Sequence, residues 1–500
     1  MFHSSRIIYA LLLAGAVMSG CSQREDIDDA VAKQDPNSAE ETASVVFKLE
    51  TNSPSLSMTR SVEYGDGDDV GTSEEYQVNN AVVYFFQVPS KHFAKRVELK
   101  NLKYLRTSNN IVTYESERVA VSPGTYDIFV FANTDPDPKG LFSTQDEDTF
   151  LENIDSETYY KGLIDNVSNG IVMTNRASDN TNVTLTINKQ TNEDNVVVVT
   201  LERVLARIDV AKDREVFELT DNLNRKYASV TIDGYHVINL PTKYYYFRHT
   251  AVLRSLDDKP DSWQLSQNFG NVSDVNGYVI DPYFFKKTVS ATSFTNADKY
   301  YVNYFGDYSN PYSVQWTTLP TKPQYNKVYS LENCMLAPAQ KNGYSTGIIF
   351  KAKVEPNNNV YHLGANGLEL ITDPTKYPET VYYYNYKFYD SAEAMASEIG
   401  VNTNSLEFYK TKKYEKDNDG YHCYYTYWIR HEDNNRPTEM GVMEFAIVRN
   451  NLYKITVTNV EDLGPQTPPS DPDTPDEGET YLKLVINVKP WIIRNLDIVL

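Results

Sequence analysis

Cysteine is scarce in this chain, with three in 500 residues. Once Cys21 is assigned to a leader segment, only Cys334 and Cys423 remain, and two cysteines make no metal site. They read by default as unpaired small hydrophobes, with cross-strand pairing left open. Basic residues are outnumbered, 47 Lys and Arg against 68 Asp and Glu, and they form no block. A net charge of −21 therefore excludes nucleic acid as a partner, because no phosphate-neutralising stripe exists. It describes a solvated acidic surface instead. The apolar run at 7–17, about eleven residues, is too short for a permanent membrane span. The seven histidines include no HExxH pair. His422 and His431 flank one predicted strand without a third ligand and read as solvated side chains. No GxxxxGK[ST] loop and no GxSxG elbow occur. Asp66 with Asp68, and Asp417 with Asp419, lack the spacing and terminal Glu of a calcium loop and read as turns. No cofactor is implied, and catalysis has no support.

What is abundant is strand-forming material: 39 Tyr and 20 Phe against 22 Gly, in a chain that is 41% hydrophobic. Aromatic side chains suit a pleated, half-buried surface. Alternating or apolar stretches predict strands at 44–51, 80–88, 125–132, 182–187, 195–210, 227–240, 244–247, 347–354, 379–389, 408–413, 422–430, 441–448 and 452–460. Short helices are expected at 145–153, capped by Ser143 or Thr144, and at 390–399, with Asp390 or Ser391 at its start and Gly400 at its end. Consecutive aromatics such as Tyr382-Tyr383-Tyr384 and Tyr424-Tyr425 could offer a sugar platform, but neighbouring strand residues point to opposite faces, so half of each group should be core. The expected fold class is all-β with a few short helices, as two β-sandwich domains. The organisation that follows is a leader at 1–20, an acidic tether and first strand at 21–60, sandwiches at 61–212 and 213–463, a Pro/Asp linker at 464–480 and a last strand at 481–500.

The two ends carry the most specific patterns. Apart from Arg494, every even position of the last stretch is apolar: Leu482, Leu484, Ile486, Val488, Pro490, Ile492, Leu496, Ile498 and Leu500. That is the period of a strand with one buried face, about twice the usual length and bent at Pro490, with Trp491 beside the bend. A Pro-rich acidic arm precedes it and is read as a reach that cannot fold into a core. At the other end, Val45, Phe47 and Leu49 share one face of the first strand. The segment 52–75 after it has the Gly, Ser and Asp content of an exposed, cuttable loop and carries a single basic residue, Arg60. A strongly apolar strand on a long arm is suited to completing the sheet of another molecule.

Several stretches resemble known sequences. Small residues before Cys21, after Arg6 and an apolar run, resemble a bacterial lipobox, and SQREDIDD after it resembles the surface-export signal of Bacteroidetes lipoproteins. SVVFKLET, the Arg60-Ser61 loop, VFANTD, VTLERVLARIDV, AIVRNNLYKITVTNVEDLG and the final INVKPWIIRNLDIVL resemble the Bacteroidales fimbrillins, type V pilins, and in particular the Mfa-type shaft subunits of Porphyromonas short fimbriae. The resemblance covers both ends and the segment between the domains; from about 213 to 440 it is one of general character. It implies transthyretin-like sandwiches and lipidation at Cys21. It further implies a cut between Arg60 and Ser61 by an Arg-specific surface protease, with loss of the strand bearing Val45, Phe47 and Leu49. The residues from Leu482 to Leu500 of a neighbour would then fill the vacancy. Implied partners are further copies in a head-to-tail filament, anchor and tip subunits, and host or bacterial surface ligands. The implied location is the outer membrane as a lipidated precursor and then an extracellular fimbrium supporting adhesion and biofilm. The alternatives are a monomeric surface lipoprotein that binds glycans, or a tip or anchor subunit.

Overall fold

A computed structural model of the chain describes residues 43–52, most of 72–476, and 482–490. Residues 1–42, 53–71, 477–481 and 491–500 lie outside the description, as do the internal segments 135–145, 151–157, 160–166, 176–182, 189–194, 252–263, 266–277, 288–298 and 432–442 and some shorter gaps.

Period-two alternation and aromatic content resolve into three main sheets. The first uses β1 (Ala43–Asn52), β2 (Ala81–Gln87), β3 (Phe93–Leu99), β4 (Lys103–Ser108), β5 (Ile111–Glu115), β6 (Val119–Val121), β7 (Gly124–Ala132), β8 (Met173–Asn175), β9 (Val183–Ile187) and β10 (Asn195–Arg203). The second part of the chain supplies β11 (Ala206–Lys212), β12 (Phe217–Thr220), β13 (Lys226–Ile238), β14 (Asn326–Ser330), β15 (Gly347–Pro356), β16 (Val360–Gly364) and β17 (Gly367–Leu370). It continues with β18 (Thr380–Tyr384), β19 (Lys387–Tyr389), β20 (Lys412–Asp417), β21 (Gly420–Trp428), β22 (Asn451–Val460) and β23 (Leu482–Pro490). Short helices among the described residues include α1 (Ser73–Tyr76) and α2 (Ala392–Ile399).

The first sheet has the order β3-β2-β7-β8-β10-β1-β5-β4, with β9 on β7 and β6 on β1. It folds over on itself, so that Val45, Phe47 and Leu49 pack on Val83, Phe85, Ile128 and Val130. β2 and β7 are buried on both faces. Their alternate residues Val82, Tyr84, Phe86, Phe129 and Phe131 enter a second cluster with Phe150, Leu205, Tyr246 and Phe247. A four-stranded sheet, β14-β11-β22-β23, faces the long sheet β12-β13-β15-β21-β20-β18-β19-β16-β17. Ile208, Val210, Ile455 and Val457 from one meet Val230, Phe350, Val354 and Tyr425 from the other. The two sheets pack face to face around this shared core. The protein is all-β.

The helix at 390–399 forms at Ala392–Ile399. Ser391 Oγ accepts the Ala394 N–H, and Gly400 takes the left-handed conformation at φ 76°, where a residue without Cβ is least strained. Five expectations change. The stretch 408–413 is not a strand: a 3-10 helix runs over Thr403–Tyr409 and β20 begins only at Lys412. The stretch 195–210 is not one strand: pairing with β8 ends at Arg203, and β11 begins at Ala206 in a different sheet. The stretch 379–389 is a hairpin, because Asn385 and Tyr386 both have positive φ, as a two-residue primed turn demands. Only Lys243–Tyr244 of the aromatic run 244–247 is in a strand. Met443–Val448 is buried but mostly turns, since an apolar run marks burial before it marks a strand.

A buried ionic network ties the parts together. In the apolar run VLARIDV, Arg207 donates from Nε to Asp209 (2.7 Å) and from Nη1 to Glu75 of α1 (2.9 Å). Tyr329 Oη donates to Glu75 at 2.7 Å. Burial raises the Asp209 carboxyl above its ordinary range, against the opposing pull of Arg207. The Arg449-Asn450 turn closes the same region. Asn450 sits at φ 59° and donates its N–H to the Leu205 carbonyl (2.8 Å), while Arg449 donates to the carbonyls of Tyr245 and Tyr246 at 2.7 Å and pairs with Glu332 at 2.8 Å. Removing one partner of such a network strands buried charge. Arg207→Met is expected to destabilise the protein by about 3–5 kcal/mol, read as a lowered urea midpoint; an unchanged midpoint would refute the assignment.

Candidate assembly site

β1 is an interior strand. One edge pairs in parallel with β10, from Val45↔Asn195 to Glu50↔Thr200. The other pairs antiparallel with β5 and β6, from Asn52↔Ile111 to Ala43↔Val121. Side chains add to this: the Phe47 N–H donates to Ser116 Oγ (3.0 Å), the Ser116 N–H donates back to the Phe47 carbonyl (2.9 Å), and Asn195 Nδ2 donates to the Ser44 carbonyl (3.0 Å). Val45, Phe47 and Leu49 are 0% exposed, and the Phe47 ring meets Phe85 edge-on at 6.0 Å. The predicted face is the buried face. At its outer side, beside Val46 and Lys48, stand the exposed Val196 and Val198 of β10.

The covalent connection of β1 to the rest of the fold runs through 53–71. Thr51 Oγ1 donates to the Tyr76 carbonyl at 2.8 Å, so this segment leaves and returns at one place. Its far side is held by Glu75 in the network above. A single cut inside 53–71 would thus leave β1 attached by hydrogen bonds and packing alone, while α1 stays anchored. Arg60 and Ser61 fall within that segment, outside the described residues, as does Cys21.

At the other end, β23 is the outermost strand of its sheet. It pairs antiparallel with β22, from Asn451↔Pro490 to Val460↔Leu482, with a register shift between Val457 and Asn459. Leu484 packs on the main core. Trp491, Ile492, Leu496, Ile498 and Leu500 lie outside the described residues.

The segment before it differs from the free arm read from composition. Residues 464–476 form a strap laid against the long sheet. Proline removes a donor but keeps its carbonyl, and those carbonyls are used: Pro465 accepts from Tyr424 N–H (2.9 Å) and Pro472 from Gly343 N–H (3.0 Å). Thr474 accepts from Asn342 N–H at 3.0 Å. A Cβ at Gly464 would lie 2.2 Å from the Tyr424 carbonyl oxygen, so only glycine fits that approach. The strap ends on Asp476, 1% exposed, whose Oδ2 accepts from Ser345 Oγ and whose Oδ1 has no partner.

The remaining expected features resolve without chemistry. Cys334 and Cys423 are unpaired and buried, in different clusters. His422 is buried rather than solvated, its Nδ1 3.1 Å from Asp417, and burial pushes its pKa down. Burial, with a contribution from Arg248, pushes His431 down to about 4. Tyr383 is core, but Tyr424 and Tyr425 are both buried, because β21 carries a cluster on each face. Among the described residues no group of three His, Cys, Asp or Glu is placed to hold a metal, and no helix is long and apolar enough to cross a membrane.

Two family models match. That of the major fimbrial subunit protein (FimA) covers residues 43–203, from β1 to the last residue of β10. That of the C-terminal part of fimbrillin, the major fimbrial subunit protein type IV, covers 418–497, including the strap and β23. The chain belongs to the fimbrillin family. No match is found among curated proteins. Among solved structures, this fimbrillin is similar to a fimbrilin (fimA) from Porphyromonas gingivalis W83 (16% identity, 90% of this chain and 98% of that one, TM-score 0.43). It is similar to the tip fimbrial protein Mfa3 of Porphyromonas gingivalis with a C-terminal truncation (11%, 90% and 100%, 0.35). A third likeness is a putative cell adhesion protein from Parabacteroides distasonis (14%, 90% and 100%, 0.42). The fimbrillin is thus a structural subunit of an extracellular, cell-surface fimbrium and assembles with other fimbrial subunits.

Sequence reasoning missed the network of Glu75, Arg207 and Asp209 and the docking of the strap. The first had a signal, two charges inside an apolar strand pattern. The second had none, since carbonyl acceptance leaves no mark in composition.

Asp476 gives the strap a pH dependence. Burial raises its carboxyl well above the ordinary value of 3.8, Ser345 and Arg430 oppose this, and Glu444 adds to it. An acid whose folded pKa is raised stabilises the docked form most when protonated, so docking weakens as pH rises above the unfolded value. Protease cleavage within 464–476 is therefore expected to accelerate from about pH 4 to pH 8, and Asp476→Asn is expected to flatten that rise. A wild-type rate that does not change with pH would exclude the linkage.

Proposed function

We propose that this fimbrillin is a shaft subunit that travels as a lipoprotein on Cys21, is cut after Arg60 by an Arg-specific surface protease, and polymerises by strand exchange. In this reading β1 is lost, and the terminal strand of a neighbouring copy takes its place, with Leu482, Leu484, Ile486, Val488 and Pro490 facing the core where Val45, Phe47 and Leu49 had been. Trp491, Ile492, Leu496, Ile498 and Leu500 extend the same strand beyond its bend. The two sandwiches, the first ending at Arg203 and the second opening at Ala206 rather than at the expected boundary of 212/213, then repeat along a head-to-tail filament, ended by anchor and tip subunits.

The observation that carries the reading is the position of β1. It is paired on both edges, yet it joins the fold through one segment that contains Arg60. Vacating it exposes two rows of backbone donors and acceptors and an apolar strip, an aggregation hazard unless another strand enters. Burial of Val45, Phe47 and Leu49 at about 1.5–3 kcal/mol each keeps β1 in place until it is cut, and the same gain rewards its replacement. Strand addition draws affinity from the backbone and specificity from alternate side-chain pockets. A heterologous contact that does not close makes a fibre. The donor begins as an edge strand, so its release breaks one ladder, with β22, and the Leu484 contact with the core.

The pairing of β23 with β22 in its own chain favours a second reading, in which the strand stays home and the protein remains a monomeric surface lipoprotein. Deleting 482–500 separates the two. The polymer reading expects folded monomers that form no filaments after processing; filaments from that truncation would refute it. Arg60→Ala is expected to remain an uncut, membrane-bound monomer. Edman sequencing of filament protein is expected to start near Ser61, and Cys21 on assembled subunits would contradict processing in the loop.

A further inference from the structure

The outer face of the long sheet carries a cleft lined by none of the residues of β1 or β23. Its floor is a row across three strands, Gly234 of β13, Lys351 of β15 and Tyr424 of β21, aligned by the ladder registers. Gly234 makes room: a Cβ there would stand 2.7 Å from the Trp316 Cβ. Trp316 settles over that gap with its ring 5.6 Å from Tyr424, and its indole N–H is satisfied by the Pro311 carbonyl at 3.1 Å. Tyr312, half exposed, and the turn Asp417-Asn418-Asp419 complete a cavity of about 330 Å³.

Two features mark it as a site for a ligand. The Tyr424 side chain, 1% exposed, lines the cleft, and its hydroxyl has no hydrogen-bond partner, a cost that a ligand hydroxyl would relieve. The remaining lining combines flat aromatic surface with short planar polar side chains, Asn418 and Asp419, at an exposed rim. Apolar C–H faces edged by vicinal hydroxyls are the chemistry that fits both. Asp417 is committed to the turn, where its Oδ1 accepts the N–H of Asp419 (2.8 Å) and of Gly420 (3.2 Å), while its Oδ2 lies 3.9 Å from Lys351 Nζ. Two carboxylates, Asp417 and Asp419, stand in the lining against one ammonium, Lys351, so the cleft is net negative and disfavours anions.

We propose that this cleft binds a neutral or amino-bearing pyranose, with the sugar's C–H face against Tyr312 and Trp316 and its hydroxyls on Asn418, Asp419 and Tyr424. The site lies on the face of the long sheet away from the main core and is present in the uncut chain, so it stands independently of the polymerisation reading.

The test is saturation-transfer difference NMR on the full chain with a panel of methyl pyranosides: glucose, galactose, mannose, N-acetylglucosamine, N-acetylgalactosamine and glucosamine, against a glucuronide and a sialoside. At least one neutral or amino sugar is expected to bind in the millimolar range, and neither acid to bind. Trp316→Ala is expected to abolish the signal. Because Trp316 is partly buried, Tyr312→Ala and Asp419→Ala serve as variants at exposed positions, each expected to weaken binding about tenfold, the equivalent of roughly 1.4 kcal/mol. Silence across the neutral and amino set, equal binding of the acids, or binding that survives both exposed variants would each overturn the proposal.

Discussion

A strand hydrogen-bonded on both edges cannot leave without stranding two rows of backbone groups, and every other feature of this protein is arranged around that constraint at β1. The strand holds the centre of the first sheet through β10, β5 and β6 and fills its core with Val45, Phe47 and Leu49. Its covalent tie, through 53–71, is nevertheless a side excursion whose ends meet at the Thr51–Tyr76 hydrogen bond. Tight packing and a single covalent connection to the rest of the fold meet in this one element.

Much of the packing around β1 does not depend on it. β2 and β7 are packed from both sides, and one of those faces lies in a cluster with Phe150, Leu205 and Phe247 that contains no residue of β1. Glu75 is locked to Arg207 and Tyr329, which holds the chain beyond the excursion. The Arg449-Asn450 turn fastens β22 to the Val204–Leu205 link through buried hydrogen bonds. At the far end the strap uses its carbonyls to stay docked as far as Asp476, which places any hinge for β23 after that residue rather than at Gly464.

Much of this was legible in the sequence, for physical reasons that differ by element. β1, β7, β13, β15 and β22 were readable because each alternates against one face or is apolar throughout. The cap and stop of α2 were readable because Ser391 and Gly400 have one good use at such positions. The hairpin at Asn385-Tyr386 was hidden, since a tyrosine in the left-handed region gives no turn signal of the Asn-Gly kind. The break at Val204-Leu205 was hidden because both flanking strands are apolar, and a change of sheet leaves hydropathy unchanged. The family patterns at the two ends pointed to assembly, but the Pro-rich stretch misled: its composition speaks of donors it lacks and is silent on acceptors it keeps. The sugar cleft was half visible, in that Tyr424-Tyr425 suggested an aromatic platform, whereas Trp316 and the space at Gly234 come from the ladder registers.

The central claim is that the place of β1 is taken by the terminal strand of another copy. A cryo-electron microscopy map of the assembled filament at side-chain resolution tests it directly, by tracing the strand that lies between residues 195–200 and 111–115. The account predicts that this density connects to 482–500 of the adjacent subunit, with Leu484, Ile486 and Val488 facing Val83 and Phe85. Density there that traces to 43–52 of the same chain would contradict it.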